Sequence, residues 1–179
     1  MKLKNVAEVI FSFPVKDKDN ATVGANWLTP TCLSCNNEIL GVEKGVDWVV
    51  DEAYRIKKDD IVMKRVGPQF VNYISSSKDY LLGQNLALIR STEMIYPKYL
   101  EYILENNLEQ LYAVTFSRIP SIRRKDLEEI DIGKLPSMDI QEAIGELWWL
   151  QKEKHTATTK LLMLEELRLK GKMQEILNR

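Results

Sequence analysis

Cysteine is scarce, histidine is nearly absent, and no stretch of the sequence is both long and apolar. The 179-residue chain holds two cysteines and one histidine. The cysteines form the single pair Cys32-Leu33-Ser34-Cys35, half the ligand set of a structural zinc site. We read them as two reduced thiols in a cytosolic loop; a redox pair or a metal shared between chains is the alternative. His155 lies far off in a helical stretch, so nothing brings it to Cys32 as a nucleophilic pair. No run approaches the ~18 apolar residues of a membrane span. Met1-Lys2-Leu3-Lys4-Asn5-Val6 opens without a signal-peptide core. The expectation is a cytoplasmic protein with no membrane contact.

Motif absences narrow the chemistry further. There is no glycine-rich phosphate loop of the Walker or dinucleotide type. Nothing resembles the aminomethylating tetrapeptide of adenine methyltransferases. Asp59, Asp60 and Lys64 lack the spacing of a convincing nuclease metal site, and Asp59-Asp60 reads more simply as the opening of a strand. The chain is therefore expected to bind and not to catalyse, with no cofactor of its own. A net charge of −1 with a pI near 6.0 argues against a general electrostatic DNA binder. It leaves room for a reader whose positive charge is gathered on one face.

What is present is an ordinary globular balance with large apolar anchors, four tryptophans and seven tyrosines among them. Leu3, Val6, Ala7, Ile10 and Phe11 recur at helical spacing, which predicts a short helix or turn within residues 3–13. Trp27-Leu28-Thr29-Pro30 reads as a strand stopped by proline. Short strands are expected at Trp48-Val49-Val50, at residues 60–67 before the Gly67-Pro68 turn, at residues 70–74 as the returning arm of a hairpin, and at residues 86–90. Pro97 suits the first turn of a helix, where its missing amide would be unpaired anyway, and Tyr99, Leu100, Ile103 and Leu104 form that helix's apolar stripe. Residues 118–122 read as extended, Arg124 to Glu128 as one helical turn, and Ile130-Asp131-Ile132 as a short strand.

Beyond Leu135-Pro136-Ser137 the texture changes. No proline follows, and the only glycines are Gly145 and Gly171. Ser137 or Asp139 is placed to cap a helix of about forty residues, roughly 60 Å long at ~1.5 Å per residue. Ala143, Leu147, Leu150, Ala157, Leu161 and Leu164 step by fours and threes, interrupted where Lys154 takes a seam position. Leu169, Met173 and Ile176 continue an apolar stripe on a shifted face. The pattern favours pairing with another helix; a helix folded back on its own domain is the alternative. Trp148 and Trp149 are neighbours expected not to face inward together, so one of them is assigned to a contact surface.

The order of these pieces resembles the DNA-specificity subunit of Type I restriction–modification systems, over essentially the whole chain. Leu3-Lys4-Asn5-Val6-Ala7-Glu8-Val9-Ile10 is similar to that family's opening, and Asn26-Trp27-Leu28-Thr29-Pro30 to its tryptophan–x–threonine–proline segment. Residues 56–67 resemble its lysine–glycine–aspartate strand, with Asp59 standing where the family has glycine. Residues 97–104 look like its helix. Residues 119–122, 126–132, Leu135-Pro136 and Gln141 resemble the closing signature that precedes a long helix. Ser12-Phe13-Pro14 departs from the asparagine–glycine or serine–glycine usual after the opening.

The resemblance implies an α+β fold: a mixed target-recognition domain with short strands over residues 1–136, then a spacer helix over 137–179 that pairs as an antiparallel coiled coil. It implies a half-length form working as a homodimer, reading a split inverted repeat in double-stranded DNA. Partners would be a modification (methyltransferase) subunit that binds S-adenosylmethionine and a restriction subunit that uses ATP. Base reading needs paired donors and acceptors, and phosphate contacts need cations. The candidates are Lys64, Arg65 and Gln69 at the clearest strand and its turn, the amides Asn72, Gln84 and Asn85, and the basic stretch Ser117, Arg118, Arg123, Arg124 and Lys125. On the helix, Ala143, Leu147, Leu150, Ala157, Leu161 and Leu164 are the pairing candidates, with Trp148, Trp149 and Leu150 as anchors for the methyltransferase. A stand-alone dimeric DNA-binding regulator and a helical scaffold without a DNA role are the rival readings.

Overall fold

Leucine, valine and isoleucine on consecutive positions, as in Leu86-Ala87-Leu88-Ile89, mark strands covered on both faces, and the structure shows what covers them. The computed structural model describes residues 1–12, 22–47, 52–76, 78–113 and 121–178. The strands are β1 (Ala7–Phe11), β2 (Thr22–Leu28), β3 (Glu43–Asp47), β4 (Arg55–Ile56), β5 (Ile61–Lys64), β6 (Val71–Tyr73), β7 (Tyr80–Leu82) and β8 (Leu86–Ser91). The helices are α1 (Pro97–Asn106), α2 (Leu108–Ala113), α3 (Arg124–Glu128) and α4 (Met138–Leu177). One sheet has the order β1-β8-β5-β6 and is antiparallel throughout. The other has the order β3-β2-β7-β4, with β2 and β7 parallel.

The first sheet is the middle layer. Ile61, Met63, Ala87 and Ile89 point to the helices and meet Leu100, Leu104 and Leu127. Val62, Leu86 and Leu88, with Ile10, point the other way and meet Leu28, Ile56 and Leu82 around the second sheet. With apolar partners on both sides the strands need no polar alternation. A mixed α+β head followed by one long helix is the architecture expected from the sequence.

The opening segment is in part a correction. The expected turn is present as a 3-10 turn at Leu3–Asn5, but it leads directly into the strand β1 and not into a helix. Apolar residues at positions 3, 6, 7, 10 and 11 suit either period, and β8 offers a free strand edge that decides between them. Ile130 to Ile132 is also not a strand; Asp131 makes an isolated bridge to Lys2, and the Leu3 amide donates to the Ile130 carbonyl at 3.0 Å. The strand expected at residues 48–50 and most of the extended segment at 118–122 lie outside the described residues.

Helix α4 begins where the capping residues place it. The Ser137 carbonyl accepts from the Ile140 and Gln141 amides, although the Ser137 side chain makes no capping bond. Gln141, buried, ties the entry to the head: its Oε1 accepts from the Tyr96 amide at 3.0 Å and its Nε2 donates to the Pro136 carbonyl at 3.0 Å. One turn on, Gly145 lets α4 press against the start of α1. A Cβ there would lie 2.8 Å from the Tyr99 nitrogen and 2.9 Å from Tyr96 Cδ1. Gly145→Ala should therefore destabilise the protein by about 1–3 kcal/mol in chemical denaturation, although alanine is ordinarily the better helix former by about 1 kcal/mol. Glu146 accepts from the Tyr96 hydroxyl at 2.6 Å and from Lys98 at 2.8 Å, which holds its carboxyl below the ordinary carboxylate range.

Candidate nucleic-acid interface

Antiparallel register brings strand ends and turns to one edge of the middle sheet. Lys64 pairs with Leu86, Phe11 with Ala87, and Met63 with Val71, so the end of β1, the β5–β6 turn and the β7–β8 turn are neighbours. The Arg65 amide donates to the Asn85 carbonyl at 2.8 Å, and the Arg65 carbonyl accepts from the Ile122 amide at 2.8 Å. Val66 bridges to Ser121. Two remote candidate groups, the strand-and-turn set and the basic stretch from Arg123, thus meet at one end of the head. Gln69, Gln84, Asn85, Arg123, Arg124 and Lys125 are exposed there, and Lys64 and Arg65 are half-buried.

Glycines shape this edge. Gly67 has φ +57° in the β5–β6 turn. Gly83 opens the β7–β8 turn against β2, where a Cβ would sit 2.0 Å from the Leu28 carbonyl oxygen. That close approach fixes the turn carrying Gln84 and Asn85, the latter at φ +61°. Beside it lies an open cleft of about 330 Å³ lined by Trp27, Thr29, Glu43, Lys44, Gln84 and Asn85 among others.

The cations at this edge differ in how free they are. Arg123 is bidentate to Asp126, at 2.8 and 2.7 Å, and Arg124 donates to Glu128 at 2.7 Å. The Arg123 guanidinium beside it holds the Asp126 carboxyl below the usual range. Lys64 lies over the Phe70 ring at 5.1 Å, and the Arg65 guanidinium over the Phe11 ring at 4.1 Å. Ser117 and Arg118 lie outside the described residues.

Asn72 does not belong to this edge. It is 0% exposed, and its Nδ2 donates to the Ser34 carbonyl at 2.6 Å. Its amide made it a base-reading candidate, but both faces of β6 are covered, so Asn72 serves the fold by pinning the loop over residues 34–38. That loop is a clasp between head and helix. Asn37 accepts from the Tyr73 amide at 3.1 Å and donates to Glu101 at 2.7 Å. Asn36 bonds His155 at 3.1 Å, and Glu38 pairs with Lys160. Cys32 is buried and Cys35 exposed, both as free thiols. Asp60 is buried in a pair with Arg90 at 2.8 Å, in keeping with a structural role at the opening of β5.

Both tryptophans face the head, against the expectation that they could not do so together: Trp148 packs edge-on to Tyr102 with centroids 5.5 Å apart, Trp149 edge-on to Tyr73 at 5.3 Å, and both are half-buried. Successive helix positions are about 100° apart, so a docking face of that width takes both. Between them on the face sits Lys152, which the sequence reading passed over. It is 7% exposed and donates to Glu101 and Glu105 at 2.7 Å each and to the Val71 carbonyl at 3.3 Å. Glu101 is 0% exposed, and burial pushes its carboxyl up against the downward pull of Lys152.

The opposite face of α4 is bare. Leu147 is 68% exposed and Leu161 57%, and Ala143, Leu150, Ala157 and Leu164 are exposed too. From Leu161 to Asn178 every residue is exposed, so the last third of the helix stands clear of the head. Among the described residues, no helix is long and apolar enough to cross a membrane.

No protein-family model and no curated protein matches this sequence. Solved structures do match. The S subunit of a Type I restriction–modification system from M. genitalium superposes with a TM-score of 0.64 at 16% identity, over 93% of this chain and 42% of that one. This chain has the S-subunit fold. A chain from a structure of complex assembly and conformational transition in the type I R-M system aligns at TM-score 0.65 and 17% identity, over 94% of this chain and 42% of that chain. The HsdS subunit from Thermoanaerobacter tengcongensis aligns at 0.60 and 17%, over 90% and 38%. The chain spans about two-fifths of the length of these structures. The S-subunit fold accounts for both parts at once, a mixed head and a long helix leaving it.

Proposed function

We propose that this chain is a DNA-sequence-recognition subunit of a Type I restriction–modification complex, working as a two-fold pair. The observation that supports this most is the S-subunit match, which runs across head and helix together. Residues 1–136 would be the target-recognition domain and residues 137–179 the spacer. The seam of Ala143, Leu147, Leu150, Ala157, Leu161 and Leu164 would meet its symmetry mate in an antiparallel pair. Two copies of one reading edge, facing opposite ways, suit a split inverted repeat in double-stranded DNA.

In this reading the chain catalyses nothing. The modification subunit brings the methyl donor and docks on the paired spacers, and the restriction subunit brings ATP. Lys64, Arg123, Arg124 and Lys125 contact phosphates, while Gln69, Gln84 and Asn85 reach base edges. The near-neutral net charge fits a subunit that shares its grip on DNA with a partner. Gel retardation of a duplex by the chain with its modification subunit tests this. Binding should weaken steeply as salt rises, because each neutralised phosphate releases a counterion. Failure to retard any duplex even at low salt would favour a helical scaffold.

A further inference from the structure

Arg65 is unlike the other described arginines of the head. Arg55 is engaged by Glu52 and Asp79, Arg90 by Asp60, Arg123 by Asp126 and Arg124 by Glu128. Among the described residues Arg65 has no carboxylate partner and no side-chain hydrogen bond. Its Nε is buried with nothing to donate to. A sealed donor without an acceptor is uncommon in a native interior and calls for a reason.

The surroundings hold this side chain still without neutralising it. The guanidinium lies over the Phe11 ring at 4.1 Å, and the backbone is tied on both sides, to Asn85 and to Ile122. Ring stacking and a fixed backbone remove much of the rotamer freedom that a free arginine would lose on binding. Unlike Nε, the two terminal nitrogens are not sealed, and the residue's own backbone is bonded to Asn85 in the neighbouring turn. What remains is a planar, charged fork of donors, positioned in advance, with no acceptor of its own. In the major groove the O6 and N7 of guanine form the matching pair of acceptors.

We propose that Arg65 is the specificity-determining residue for one guanine in each half of the target, with Phe11 as the residue that positions it. This rests on the DNA-reading function proposed above. The phosphate role given to basic side chains at large does not explain the geometry: a phosphate contact benefits from reach, and Arg65 is stacked and half-buried.

The test selects bound duplexes from a pool of random sequence, using the chain with its modification subunit, as wild type, Arg65→Ala and Arg65→Lys. The wild type should enrich a motif with an invariant guanine in each half-site. Arg65→Ala should flatten that position alone, reducing discrimination for guanine there by roughly 5- to 150-fold. Arg65→Lys keeps the charge but not the fork. It should retain the salt dependence of binding while losing most of the same preference, and it carries the test if the alanine variant does not fold. An enriched motif that both folded variants leave unchanged overturns the assignment. So does a uniform weakening at every base pair, which would make Arg65 a phosphate or packing group. A wild-type complex that enriches nothing sinks the DNA-reading function itself, a different failure from either.

Discussion

Lys152→Met, with Glu101 left in place, is expected to lower stability by about 3–5 kcal/mol, because it strands a buried carboxylate. Glu101 is 0% exposed, its Oε2 has no partner, and its Oε1 depends on Lys152 and Asn37. Removing the cation leaves only the amide. The double variant Lys152→Met/Glu101→Leu should fall within about 1 kcal/mol of wild type or exceed it, since an apolar pair of similar volume avoids the desolvation cost. Urea unfolding of both proteins checks this. A single variant as stable as wild type would show that the pair is solvated and does not fasten the helix.

That asymmetry bears on what the ion pair is for. A buried pair adds little net stability, but it tolerates few alternative alignments. Lys152 reaches Glu101 and Glu105 on α1 and Val71 on β6 together, so a slip of one helical turn would break all three contacts. The direction in which α4 leaves the head is thereby set, and with it the direction in which Leu147 and Leu161 face. In a two-fold pair that direction fixes the spacing of the heads.

The second large effect is expected at the seam. Leu161→Glu with Leu164→Glu should convert the pair to single chains while leaving the fold intact, because both leucines are exposed in the single chain. Burying a leucine side chain is worth about 1.5–3 kcal/mol, and symmetry counts each substitution twice. The dissociation constant should rise by about a thousandfold or more. Sedimentation at micromolar concentration reads the result directly, with circular dichroism as the check that α4 persists. An unchanged mass would place the pairing surface elsewhere on the chain.

The long helix was legible because its signals are local: proline stops at Pro136, glycine is rare afterwards, and apolar residues return by fours and threes. The strands β5, β6 and β8 were legible from apolar runs between turn residues. Which face of each strand met solvent was not legible, since the middle sheet is covered on both sides; Asn72 was misassigned for that reason. β1 was misread because Leu3, Val6 and Ile10 fit a helix as well as a strand, and only the distant β8 decides. Lys152 was passed over because its partners lie far back in the sequence on α1, and nothing in its immediate surroundings marks it as buried. The reading edge was half legible. Its residue types stood out one by one, but the bonds joining Arg65 to Asn85 and Ile122 are a product of the fold.

The most direct measurement of the central claim is recovery of bound duplexes from a random pool by the wild-type chain with its modification subunit. The expected result is one short motif and its inverted copy, separated by a gap of fixed length. A motif without an inverted copy, or copies at many different gaps, would contradict a rigid two-fold reader joined through its helices.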